Sequence, residues 1–149
     1  MTAPLEFNEM PELWVGKELG SKGIKGLIEL SKTLSDSREF VLLLDYSEAA
    51  TGRVLPAYLN AKLRVRDGIS RSRSTQIEML LLAAGTMNID KAISKLGAKD
   101  PKKFLLFATS RPLMEKFVKN GGVGLERMIV LKINEDIAGE VALTEVAEG

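Results

Sequence analysis

The sequence predicts an α+β fold: one domain over residues 1–149, with a small, largely antiparallel sheet covered by several helices. Three observations predict it. A short apolar run at residues 40–45 ("FVLLLD") has the length of a strand buried on both faces, and "KKFLLFATS" (102–110) reads as a second clear strand. Longer stretches with apolar residues spaced by three and four read as helices. The helices cluster between the strands without regular strand–helix alternation, which argues against a parallel sheet.

The elements follow in chain order. Residues 5–7 and 13–15 read as short strands in "LEFNEMPELWVGKELG". In "SKGIKGLIELSKTLSD", Ile24, Leu27, Ile28 and Leu34 share one helical face, which Ser31 interrupts. After the run at 40–45, a helix is expected from about Val54, because Pro56 is tolerated best in a first turn. It carries Leu55, Tyr58 and Leu59 inward and ends near Val65. A charged loop with a turn at Asp67-Gly68 comes next. The following helix begins at Thr75, where Thr75 and Glu78 have capping-box spacing. Ile77, Leu80, Leu81 and Ala84 form one apolar stripe of this helix, and Met79, Leu82 and Ala83 form another. A helix apolar nearly all round is buried on both sides, in its own domain or against another protein.

Gly85 ends that helix. Asn88 caps the next, with Ile89, Ala92, Ile93 and Leu96 at i, i+3, i+4 and i+7 and Gly97 at its end. Beyond the strand at 102–110, Ser110 and Pro112 open a short helix that buries Leu113, Phe117 and Val118. "KNGGVG" (119–124) follows a helix rather than a strand, so it reads as a helix stop and not as a phosphate loop. "RMIVLKI" (127–133) is a strand, "NEDIAG" a turn, and "EVALTEV" (140–146) alternates like a half-exposed strand.

Composition narrows the function. The chain is 45% apolar and 28% charged, as in a folded protein. No apolar run approaches the roughly 20 residues of a membrane span, and no secretory leader is seen, so the expected compartment is the cytoplasm. There is no histidine and no cysteine. That removes the usual general base, the Ser-His and Cys-His pairings and thiolate metal sites. No GxxxxGK[ST] or GxGxxG fingerprint occurs either. Neither catalytic residues, nor a metal, nor a cofactor is expected.

Charge is uneven although the chain totals +1. From residue 62 to 73, five bases (Lys62, Arg64, Arg66, Arg71, Arg73) face one acid, Asp67, for a net of +4. From 134 to 149 there are five acids and no base, a net of −5. The basic run is either a solvated loop or an anion-binding patch for a nucleic-acid backbone. Tyr58, one helical turn before Lys62, either stacks on a base or belongs to the core.

One stretch carries a resemblance. Residues 73–100, "RSTQIEMLLLAAGTMNIDKAISKLGAKD", contain Ser74, "EMLLLAAG", "IDKAI" and "GAKD" in order. This resembles the signature of the small kinase-binding subunit of the KEOPS (EKC) complex, the family of the PRPK-binding protein. "VLPAYLNAK" (54–62) fits more loosely. The charged loop is longer than the family's and the C-terminal region shorter. The resemblance implies a protein without activity of its own that binds the complex's small atypical kinase/ATPase. Through that kinase it would meet the threonylcarbamoyl transferase subunit. It also implies a part in recruiting tRNA by its CCA end for threonylcarbamoyladenosine modification. On this reading Lys62, Arg64, Arg66, Arg71 and Arg73 hold RNA, and Met79, Leu82 and Met87 face the protein partner. The alternatives are a stand-alone nucleic-acid-binding module and an enzyme using carboxylates and lysines.

Overall fold

The computed structural model describes residues 10–36, 38–69, 74–134 and 142–148, with side chains described except at 48–51, 130–134 and 142–148. Its elements run β1 (Glu12–Glu18), α1 (Gly23–Leu34), β2 (Val41–Asp45), α2 (Glu48–Asp67), α3 (Thr75–Ala84), α4 (Ile89–Leu96), β3 (Phe104–Ala108), α5 (Arg111–Gly121), β4 (Val123–Asn134) and β5 (Ala142–Glu148). The strands form one sheet in the order β2-β3-β1-β4-β5, and every neighbouring pair is antiparallel. The α+β class is as predicted. The strand expected at 5–7 and most of the turn at 134–139 lie outside the described residues.

Helices cover both faces, which explains why β2 and β3 are apolar without alternation. Successive side chains of a strand point to opposite faces. Leu42, Leu44, Leu105 and Phe107 join Leu13, Val15 and Ile129 under α2, α3 and α4. Val41, Leu43, Phe104, Leu106 and Ala108 face α1 and α5, meeting Leu27, Met114 and Phe117. Both layers being wanted, polar alternation is absent where the sheet is central. The free side of β2 is closed by the chain after α4: Ala98 donates its N–H to the Leu43 carbonyl at 3.3 Å, and Leu44 bridges to Gly97. Blocking an edge in this way removes a template for unwanted pairing.

One helix boundary and one cap differ from expectation. The second helix begins at Glu48 rather than near Val54, so Pro56 lies in its interior. Pro56 has no N–H to give the carbonyl of Gly52, four residues back. Gly52 is exposed, so water can take that bond. The cap of α3 is Ser74, whose hydroxyl accepts from the Ile77 N–H at 3.4 Å. Thr75 is therefore the first helical residue, and Glu78 stands one position too far along to close a capping box. Asn88 caps α4 as expected, accepting from the Lys91 N–H at 3.1 Å. Gly85 and Gly122 end α3 and α5 in the left-handed conformation. Gly97 does not: its φ is −64°. A glycine is needed there because a Cβ would lie 2.7 Å from the Ile93 carbonyl oxygen.

Candidate nucleic-acid and partner interfaces

The last turns of α2 carry Lys62, Arg64 and Arg66, and α3 runs beside them. Glu78, on α3, is buried to 1% exposure and meets the Arg64 guanidinium at 3.5 Å. A buried carboxylate is costly unless paired and hydrogen-bonded, and Arg64 reaches in from the surface to supply charge. Arg66 meets Asp67 at 3.4 Å. Lys62 lies 5.8 Å from the Tyr58 ring centroid. Arg71 and Arg73 lie outside the described residues. Folding thus returns a second acid, Glu78, to the basic segment. Among the described residues, Lys62, Arg64 and Arg66 then stand against Asp67 and Glu78, a net of +1.

Tyr58 belongs to the core. It is 2% exposed, with its ring centroid 5.0 Å from that of Phe107 and 6.1 Å from that of Phe40. No face of it is open to a base. Its spacing from Lys62 pointed both ways; its row with Leu55 was the informative part.

Of the three residues expected to face a partner, the structure separates one. Met79 is fully buried in the core beneath α2 and α4, so it is corrected from contact to core residue. Ala83, of the same stripe, is buried with it. Leu82 is half-buried, and Met87 is 71% exposed. Both line an open depression of about 270 Å³ with Glu78, Leu81, Gly85 and Thr86. The buried end of the Arg64–Glu78 pair is therefore a wall of the same depression. The basic and apolar candidate surfaces adjoin there.

The helix after it extends the apolar surface. Ile89 and Ile93, one turn apart on α4, are exposed, whereas Ala92 and Leu96 are buried. Their spacing in sequence gives all four one helical face. An eight-residue helix at the margin of a layer buries only a narrow arc, and four apolar residues at i, i+3, i+4 and i+7 span a wider one. Lys95 reaches back from α4 to cap α3, donating to the Ala84 carbonyl at 3.0 Å. That bond fixes the α3–α4 angle and with it the surface.

A second cationic group was missed. At the far end of α2, Lys103 Nζ sits 4.1 Å above the Tyr46 ring, and Arg127 donates to the Tyr46 hydroxyl at 2.6 Å. These residues come from three separate places in the chain, just after β2, just before β3 and within β4, so no local charge run betrayed them.

Among the described residues, no group of three or more His, Cys, Asp or Glu side chains is arranged to hold a metal. No helix among them is long and apolar enough to cross a membrane. In comparisons with known proteins, the chain matches no protein-family model and no curated protein.

Proposed function

We propose that this chain is a non-catalytic, cytoplasmic subunit of the KEOPS complex. It binds the complex's small kinase/ATPase, through it meets the threonylcarbamoyl transferase subunit, and helps recruit tRNA by the CCA end. The observation that carries the reading is the surface of α3 and α4. Leu82, Met87, Ile89 and Ile93 leave apolar side chains exposed or half-exposed within the same 28 residues that resemble the family signature. Adaptable and branched apolar groups in one strip suit a protein partner. The bases of α2 adjoin that strip at Glu78, so RNA and kinase would be held by neighbouring surfaces. A stand-alone nucleic-acid module needs only the basic part and leaves the isoleucines of α4 without a purpose.

The test is tRNA binding by the isolated chain. Three or four phosphate contacts predict log K falling against log salt with a slope of about −2 to −3, at about −0.7 per contact. Arg71→Ala and Arg73→Ala each weaken binding and flatten that slope. Removing the CCA end weakens binding more than altering the anticodon loop. Affinity indifferent to salt, to these arginines and to the tail overturns the RNA part of the proposal.

A further inference from the structure

The cluster at the end of β2 is built entirely of donors. Tyr46 is half-buried against the core. Its hydroxyl oxygen accepts from Arg127 at 2.6 Å, which leaves the phenolic proton to be donated outward. A guanidinium and an ammonium have no acceptor at all. Neither Lys103 nor Arg127 forms an ion pair among the described residues. Three of the acids close in sequence are otherwise placed. Glu126 meets Lys17 at 3.8 Å. The Asp100 carboxylate accepts the Lys102 N–H at 2.9 Å. Asp45 precedes Tyr46 by one residue and so faces the opposite side of the sheet.

Two cations and a hydroxyl proton gathered on one ring, with no anion paired to them among the described residues, make a site for one. We propose that Tyr46, Lys103 and Arg127 form a phosphate-binding site that takes a backbone phosphodiester of bound RNA. Lys103 covers one face of the ring, so the tyrosine is not a stacking platform and the ligand group is the phosphate rather than the base. Arg127 supplies a fork suited to two phosphate oxygens, and Lys103 supplies a point charge. The site stands at the start of α2, whereas Arg64 stands sixteen residues along it from Glu48, about 25 Å away at 1.5 Å per residue. An RNA gripped at both ends of α2 is fixed in direction as well as in place. The inference rests on the RNA-binding reading given above.

The experiment is an amide-shift titration of the intact chain with a 12-nucleotide single-stranded RNA and, separately, with inorganic phosphate. RNA is expected to shift the amides of Tyr46, Lys103 and Arg127 together with those near Arg64. Phosphate is expected to shift only the first group, at far higher concentration. Lys103→Ala and Arg127→Gln should each lower RNA affinity about tenfold and flatten the salt slope by about 0.7. Tyr46→Phe keeps ring and packing and gives a smaller loss. Shifts near Arg64 alone overturn this site and leave the RNA reading standing. Shifts at Tyr46 with phosphate but not RNA assign the site to a free phosphate compound and overturn the RNA assignment. No shift with either ligand overturns the site altogether, and no RNA shift near Arg64 also counts against the broader reading.

Discussion

Replacing Arg64 by alanine removes a charge partner from a buried carboxylate. At 3.5 Å, Coulomb attraction is about 4.7 kcal/mol at an effective dielectric constant of about 20, and about 1.2 kcal/mol in bulk water. Glu78 is on the dry side of that range and Arg64, with 41% of its side chain exposed, is on the wet side. Solvent screening of Arg64 pulls the net value to about 2 kcal/mol. For a domain of this size that is about 4–8 °C in Tm. Thermal melts at pH 7 should therefore place Arg64→Ala that far below the parent. Glu78→Gln should cost less, because Arg64 then turns to water, and the double variant should be more stable than Arg64→Ala alone. Freed from Glu78, Arg64 should also hold RNA more tightly at low salt. An Arg64→Ala protein melting within about 1 °C of the parent, or strictly additive losses in the double variant, would refute the pairing.

Two further outcomes follow from local geometry. Gly97→Ala places a Cβ 2.7 Å from the Ile93 carbonyl oxygen, so the α4 end must shift; a loss of about 1–3 kcal/mol is expected in denaturant melts. The Asp36 carboxyl is held below its usual range, first by the Glu39 N–H and then by that of Arg38. A lowered folded pKa stabilises above the unfolded value of about 3.9 and loses that effect as pH falls through the folded one, so Asp36→Asn should lower Tm at pH 7 and converge with the parent as the pH falls through the folded pKa.

Much of the fold was legible because strand burial and helix caps are local. The strands in "FVLLLD" (40–45) and "KKFLLFATS" (102–110) needed only short apolar stretches, and Asn88, Gly85 and Gly122 act within one turn. What escaped depends on long-range contacts. Pro56 misled because its cost is met at an exposed glycine, so the helix could start earlier. Ile89 and Ile93 match their buried neighbours in pattern, and only the position of α4 at the layer's margin exposes them. Glu78 fits the spacing of a cap, yet Ser74 takes that role and the carboxylate turns inward to Arg64. Tyr46, Lys103 and Arg127 meet only when β2, β3 and β4 are aligned. The basic run was visible, but two of its members lie outside the described residues, and two of the others are partly neutralised by Glu78 and Asp67.

The most direct test of the central proposal is co-expression of the intact chain with the tagged kinase of the KEOPS complex. The parent chain should co-purify with the kinase as a stoichiometric pair. Ile93→Glu, a change at an exposed position expected to move stability by no more than about 0.5 kcal/mol, should be lost from the eluate. A folded parent chain that fails to accompany the folded kinase would contradict the account.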